Sequence, residues 1–189
     1  MVFEKGDPGD ALYIIVKGQV KVILPSGDGN EALLATMDDG DFFGELSMID
    51  GEPRSATILA SLPTDTIVLR REGFYEFLRA SPDVAIEMLQ ALSRRLRQSD
   101  EFIADAAFLD VPGRLAKKLL ELSDRYGKTT PWGTTLGLQV TQRELAAMIG
   151  ATRESVNKHL QAFRVQGFLR SEGRRLVITD RERLARRIN

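Results

Sequence analysis

The segment FGELSMIDGEPRSA, residues 43–56, combines the groups needed to hold a sugar that carries a cyclic phosphate. Gly44 allows close backbone approach, and a short helix beginning there would aim N–H groups at an anion. Arg54 can pair with phosphate oxygens through its planar guanidinium, and Ser55 can donate a hydroxyl hydrogen bond to them. Glu45 can accept a hydrogen bond from a ribose hydroxyl. The residue types alone also allow a structural salt bridge between Glu45 and Arg54 at a β-turn.

A second segment, TQRELAAMIGATRESVNKHLQAF at 141–163, has the pattern of two helices joined by a tight turn. Thr141 and Glu144 match a capping box at the start of the first helix. Gly150 suits a turn with positive φ, and Thr152 can cap the second helix. The spacing predicts a helix-turn-helix, with an ordinary helical hairpin as the alternative. Its predicted buried face consists of Leu145, Ile149, Val156 and Leu160.

The start of the second helix carries side chains suited to base edges in the DNA major groove. Arg153 can bond guanine O6 and N7 together, and Glu154 can accept from cytosine N4. Gln142 and His159 are expected at phosphates or at the rim, although His159 is equally compatible with a plain surface residue. The full set expected to contact DNA is Gln142, Thr152, Arg153, Glu154, Asn157, Lys158, His159 and Arg174.

The charge distribution favours a nucleic-acid partner for the C-terminal quarter. Residues 141–189 hold 11 Lys and Arg against 5 Asp and Glu, a net charge of +6, whereas residues 1–140 carry −7. A basic module on an acidic body is typical of a DNA-binding protein, and a solvated charged face is the alternative.

Composition excludes several classes of site. The chain has no cysteine, which excludes disulfides, thiolate-bound zinc and iron–sulfur clusters and fits a reducing cytoplasm. With one histidine, neither a His-rich metal site nor a Ser-His-Asp triad is expected, and we predict no metal and no enzyme activity. No apolar run approaches the roughly 18–20 residues that span a bilayer, and no signal peptide is recognisable, so a cytoplasmic protein is expected.

The cassette, our name for residues 43–56, lies within a region of predicted strands. Short β-favouring runs at 12–16, 19–24, 31–37 and 66–70 alternate with turn clusters such as GDPGD and PSGDGN. This pattern predicts an antiparallel roll or barrel. Because its first strand begins almost at residue 1, we expect an N-terminal part of this domain to be missing from the sequence.

A long helix is predicted to follow the roll. Ser81 and Pro82 form a cap and a first-turn proline, and the helix continues to about Ala107, roughly 26 residues or ~39 Å. One face has apolar residues at alternating spacings of four and three, which predicts a seam against a second copy. One face of a globular core is the alternative. The seam consists of Ala85, Leu89, Leu92, Leu96, Ser99, Ile103 and Ala106.

The remaining elements complete a predicted α+β fold. Residues 108–110 are predicted to form a hinge, with Asp110 capping a helix that ends at Gly127. Beyond Gly167, FLRSEGRRLVI predicts a β-hairpin wing, and Asp180 can cap a last basic helix. The predicted domains are a β-roll at 1–80, a dimerisation helix and hinge at 81–109, and a winged helix-turn-helix at 110–189.

The cassette closely resembles the phosphate-binding cassette of cyclic-nucleotide-binding domains, with its Gly-Glu-Leu opening and Arg-(Ser/Ala/Thr)-Ala close. Followed by the seam helix, FLDVPGR at 108–114 and the helix-turn-helix, it is similar to the cyclic AMP receptor protein (Crp/Fnr) family over nearly the whole chain. The resemblance implies a jelly-roll β-roll. The ligand-binding residues it implies are Leu34, Ala35, Met37, Gly44, Glu45, Leu46, Ser47, Arg54, Ser55, Ala56, Arg95, Ser99 and Asp100.

The same resemblance implies a homodimeric transcription regulator with cyclic AMP as its allosteric effector. Its DNA site would be a TGTGA-like inverted repeat, with Arg153, Glu154 and Lys158 at the base-reading positions, and RNA polymerase would be a partner. Ligand binding would tighten the central helices, reorient the hinge and set the recognition helices one DNA turn apart, ~34 Å in this class of protein.

Two departures keep alternatives open. Lys158 stands where the best-known member has a second Arg, which leaves the third base contact undecided. Ser99-Asp100 replaces the hydroxyl pair beside adenine, and a carboxylate can accept from both guanine N1–H and N2–H. Cyclic GMP and a cyclic dinucleotide therefore remain alternatives, as does a solvated Asp100.

A constitutive regulator with a degenerate pocket is a further alternative. A kinase subunit or channel domain shares the cassette but has no counterpart to residues 141–178.

Overall fold

The computed structural model describes residues 1–27, 29–137, 140–173 and 175–188. The chain divides into two compact units, Met1–Asp100 and Glu101–Asn189, and the longest helix runs from the first into the second. Among the described residues, no helix is long and apolar enough to cross a membrane.

The first unit is built on two three-stranded antiparallel sheets, with strand orders β4-β1-β6 and β3-β2-β5. The strands are β1 (Ala11–Lys17), β2 (Val20–Pro25), β3 (Glu31–Met37), β4 (Phe42–Phe43), β5 (Thr57–Ala60) and β6 (Asp65–Arg70). Both sheets contribute to one buried cluster of Ile15, Val20, Met37, Phe43 and Ile58. The predicted roll is confirmed. Strands β4 and β5 were not predicted, because two and four residues give too short a pattern to recognise.

Three helices belong wholly or partly to this unit. They are α1 (Glu45–Asp50), α2 (Arg71–Ala80) and α3 (Pro82–Phe108). The prediction that α3 begins at Pro82 is confirmed, and its end lies one residue past the predicted one. No residue of α3 is fully buried, and Leu89, Leu96 and Ile103 on the predicted seam are each 63% exposed.

The second unit holds a helix-turn-helix beside a four-stranded antiparallel sheet of order β7-β8-β10-β9. Its helices are α4 (Val111–Tyr126), α5 (Gln142–Ile149), α6 (Arg153–Val165) and α7 (Arg181–Ala185). Its strands are β7 (Gly127–Thr130), β8 (Gly133–Leu136), β9 (Leu169–Glu172) and β10 (Arg175–Ile178). The predicted wing is the β9–β10 hairpin. The β7–β8 hairpin lies between α4 and the helix-turn-helix in the sequence.

Side-chain caps begin α4, α5 and α6 at the residues that the sequence predicts. The Asp110 carboxylate accepts from the Gly113 N–H at 2.8 Å, and Thr152 Oγ1 accepts from the Ser155 N–H at 3.2 Å. Thr141 and Glu144 form the full capping box. The predicted apolar face is buried, since Leu145, Ile149, Val156 and Leu160 are all at most 3% exposed.

The turn between α5 and α6 depends on Gly150. Its φ is +59°, and a Cβ there would lie 3.2 Å from Cζ of Phe102 in the last turns of α3. Gly167, at the end of α6, has φ +74° with nothing within 4 Å of the Cβ position. The two glycines therefore share the backbone conformation and differ in their surroundings.

We expect Gly150→Ala to lower the free energy of unfolding of the second unit by about 2–3 kcal/mol. The matched variant Gly167→Ala should cost about 1 kcal/mol, because it adds backbone strain without pressing on a neighbour. Urea unfolding followed by the fluorescence of Trp132, the only tryptophan and a residue of this unit, measures both. Equal losses in the two variants would contradict the contact with Phe102.

Candidate functional site

Arg54 is buried at the base of the cassette, with 4% of its surface exposed. Its Nη1 donates to the Gly44 carbonyl and its Nη2 to the Ala11 carbonyl, both at 2.9 Å. The guanidinium lies 4.2 Å from the centre of the Phe3 ring, and Nε is buried with no hydrogen-bond partner among the described residues. Arg54 therefore links the start of α1 to strand β1, and its Nε–H group is a donor that these contacts do not use.

Gly44 is required by both conformation and space. Its φ is +82°, and a Cβ there would lie 2.7 Å from Arg54 Nη1 and 3.0 Å from the Ala11 carbonyl oxygen. No side chain caps the helix that begins after it. The predicted close approach of backbone at this position is thus matched by a site where a larger residue does not fit.

Glu45, the predicted ribose ligand, is 5% exposed, and its partner comes from α3. Its Oε1 accepts from Arg95 Nη1 at 2.9 Å, and Arg95 Nη2 donates to the Phe42 carbonyl at 2.6 Å. The Arg95 guanidinium also lies 4.5 Å from the centre of the Phe42 ring. The alternative of a structural salt bridge between Glu45 and Arg54 is wrong, since Arg54 binds carbonyls instead.

The far end of α1 is held by two side chains that the sequence did not single out. Arg71 Nη2 donates to the Ser47 carbonyl at 2.8 Å, and Tyr75 Oη donates to the Met48 carbonyl at 2.9 Å. These bonds add to the one that the Ser47 carbonyl accepts from the Gly51 N–H at 3.2 Å, and together they hold the carbonyls at the end of the short helix. Both donors lie on α2, more than twenty residues away, and no local sequence signal marks them.

The other predicted ligand residues lie at different depths. Met37, Ser47 and Ala56 are buried, and Ala35 is half-buried against the core that includes Met37. Leu34, Leu46 and Ser55 are exposed. On α3, Ser99 Oγ donates to the Arg95 carbonyl at 3.1 Å, and Asp100 is exposed. The structure thus brings Gly44, Glu45, Arg54 and Arg95 together, with Ser99 one helical turn beyond.

The predicted DNA-reading side chains lie on one exposed surface of α6. Arg153, Glu154, Asn157 and Lys158 are all exposed, as is Thr152 at the cap. Gln142 Nε2 donates to Asn157 Oδ1 at 3.1 Å, which links the starts of the two helices. Arg174 lies outside the described residues.

His159 differs from these residues because it is half-buried. Burial lowers the pKa of its imidazole, and the nearby Lys158 lowers it further, while Asp110 acts in the opposite direction. The lowered pKa favours the neutral form of the side chain. Its value as a charged phosphate contact is correspondingly small.

Two family models match the chain. Residues 1–81 match the cyclic nucleotide-binding domain, and residues 113–187 match the Crp-like helix-turn-helix domain. A CRP-like cAMP-activated global transcriptional regulator of Mycobacterium tuberculosis is 41% identical over 98% of this chain and 83% of its own length. The chain belongs to the Crp/Fnr family of transcription regulators. The prediction of family and fold from the sequence is confirmed.

Two further proteins of the same family are similar to this chain. The cAMP-activated global transcriptional regulator CRP of Salmonella typhimurium is 30% identical over 94% of this chain and 84% of its own length. The c-di-GMP-responsive global regulator CLP of Xanthomonas campestris has a solved structure with TM-score 0.84, 27% identity, and coverage of 95% of this chain and 89% of that one. This Crp/Fnr member is thus a transcription regulator with a cyclic-nucleotide-binding domain and a DNA-binding helix-turn-helix domain.

Arg54→Ala should lower the free energy of unfolding of the first unit by about 2–4 kcal/mol, because it leaves two carbonyls without their donor in a buried site. Ser55→Ala, which changes the exposed neighbour, should stay within about 0.5 kcal/mol of the unchanged protein. Urea unfolding followed by circular dichroism, with Trp132 fluorescence reporting the second unit separately, measures both. An Arg54→Ala protein as stable as the unchanged one would contradict the structural role of Arg54.

Proposed function

We propose that this regulator binds DNA as a homodimer and that a cyclic nucleotide, most simply cyclic AMP, raises its affinity for DNA. The observation that carries the proposal is the bond between Glu45 and Arg95. It joins the predicted ribose ligand to α3, the helix that carries the predicted dimer seam. A ligand at Glu45 therefore acts on that helix directly.

The cassette suits a ribose with a cyclic phosphate. Arg54 has five N–H groups, and the two carbonyls engage two of them, so donors remain for phosphate oxygens. Ser55 is exposed beside it, and Glu45 offers a carboxylate to a ribose hydroxyl. The Mycobacterium and Salmonella relatives carry the name cAMP-activated, which favours adenine as the base.

The exposed seam supports a dimer. Leu89, Leu96 and Ile103 recur every seven residues on α3, and each leaves 63% of its surface in contact with solvent. Apolar residues at heptad spacing on an exposed helix are typical of a helix that packs against a second copy. A two-fold dimer presents two α6 helices, so the DNA site is an inverted repeat, TGTGA-like by analogy with the family.

In this proposal Arg153, Glu154 and Lys158 read bases, and the regulator acts on RNA polymerase in the cytoplasm. Their exposure at the start of α6 supports the assignment. The link from Gln142 to Asn157 holds the two helices in register for a groove contact.

A cyclic dinucleotide or cyclic GMP is the second candidate ligand. Asp100 is exposed on α3 one residue past Ser99, and its carboxylate can accept both hydrogen bonds that guanine N1–H and N2–H donate. The structurally similar CLP is described as c-di-GMP-responsive. An ionised carboxylate has one kind of donor to accept from on adenine, the amino group.

We expect cyclic AMP to tighten binding to a labelled TGTGA-type palindrome, measured by fluorescence anisotropy at fixed salt, because salt alone changes DNA affinity steeply. Ser55→Ala should weaken cyclic AMP binding about tenfold through loss of one hydrogen bond to an anion, without changing stability. Ser171→Ala, an exposed serine in the wing, serves as the matched control.

The outcome also separates the alternatives. A response to cyclic GMP or cyclic di-GMP in place of cyclic AMP would assign the base specificity to a guanine ligand. Tight DNA binding that no nucleotide changes would refute ligand control and indicate a constitutive regulator.

Leu96→Glu should convert the dimer to a monomer, because it places a charge in the middle of an apolar seam. Sedimentation velocity at micromolar protein measures the change, and affinity for the palindrome should fall at least tenfold. Val165→Glu puts the same charge on an exposed apolar position of another helix, and it should leave the mass unchanged. A Leu96→Glu protein with the mass of the unchanged one would refute the seam.

A further inference from the structure

The last turns of α3 pack within the second unit through one face. Phe102, Asp105 and Leu109 are half-buried, whereas the residues between them are exposed. The Asp105 carboxylate accepts from Lys117 Nζ of α4 at 2.7 Å, and their side chains are 26% and 30% exposed. An ion pair that is mostly shielded from water is stronger than one on the open surface.

Two further contacts lead from this end of α3 to the helix-turn-helix. Arg114 Nη1 donates to the Leu109 carbonyl, and its Nε donates to the Ile149 carbonyl, both at 2.9 Å. Ile149 ends α5, and Gly150 in the next position lies against the Phe102 ring. The Phe102 ring of α3 therefore lies against the turn of the helix-turn-helix, and Arg114 links Ile149 before that turn to Leu109, the residue that follows α3.

These contacts bear on the residues that the sequence predicts as a hinge. Leu109 is held through its carbonyl by Arg114, and Asp110 is fixed as the cap of α4. Residues 101–110 consequently belong to the same body as the helix-turn-helix. Ser99 and Arg95 lie six and ten residues before Asp105 in the same helix.

We infer that Lys117 and Asp105 are positioning residues that transmit ligand binding from α3 to the helix-turn-helix. A displacement of α3 at Arg95 is carried along the helix, and the ion pair makes α4 follow it. Without the pair, the end of α3 can shift on α4 and the signal is lost. The inference rests on the proposed function, because it requires that a ligand change the affinity for DNA.

The test compares Asp105→Asn, Lys117→Gln and the swapped double variant Asp105→Lys/Lys117→Asp. For each, the dissociation constant for the palindrome is measured with and without saturating cyclic AMP. The constant without cyclic AMP divided by the constant with it is the ratio that gives the coupling. Each single variant should lower the ratio at least fivefold, and the swap should restore it to within about twofold of the unchanged protein. By reciprocity, DNA should also lose its effect on cyclic AMP affinity in the single variants.

Asp124→Asn is the matched control. Asp124 also lies on α4 and pairs with Arg181 at 2.8 Å, but this pair is exposed and does not involve α3. Its loss should leave the ratio unchanged. Thermal unfolding of every variant checks that the fold is kept. If Asp105→Asn does not fold, the comparison rests on Lys117→Gln as the single variant.

Single variants that keep the ratio of the unchanged protein, or a swap as low as the single variants, would overturn the inference. A ratio of one in the unchanged protein has a different meaning. It would refute the proposed ligand control itself, and the coupling role with it, before any variant is compared.

Discussion

The buried charge of Glu45 is the constraint around which the first unit is arranged. A carboxylate with almost no contact with water must have a partner within hydrogen-bond distance, because an unpaired buried charge is strongly destabilising. Arg95 supplies that partner and at the same time bonds the Phe42 carbonyl. A planar guanidinium can meet both groups in few orientations, so this one side chain fixes where α3 lies against the cassette.

Arg54 is a buried cation on the other side of Gly44 from the buried carboxylate of Glu45. Its positive charge is buried against backbone carbonyls and the face of Phe3, and no carboxylate among the described residues forms an ion pair with it. A cation held in this way favours an anion that arrives later, because its charge is already desolvated and oriented. The cassette thus places a paired carboxylate and an unneutralised guanidinium on either side of one glycine. That arrangement suits a ligand with a hydroxylated sugar and a phosphate.

The long helix α3 begins in the first unit and continues into the second. Within the first unit it is held by Arg95, and within the second by Asp105 and Phe102. Its exposed apolar seam lies between and beside these anchors. Under the proposed function, ligand binding, association with a second copy and DNA recognition influence one another through this helix, as linkage between sites requires.

The sequence by itself determined the features that depend on neighbours a few residues apart. Capping by Asp110, the capping box of Thr141 and the positive φ of Gly150 are settled within one turn of chain, and the heptad spacing of α3 is visible in the letters alone. The motifs also indicated the family and named Glu45 and Arg54.

Only the tertiary structure decided the partners of those two residues, which come from α3 and from β1, and the support of α1 by Arg71 and Tyr75. These contacts join residues up to 50 positions apart, and strands as short as β4 are defined by the sheet they enter. Such pairings follow from how whole elements pack, which no local pattern of residue types encodes.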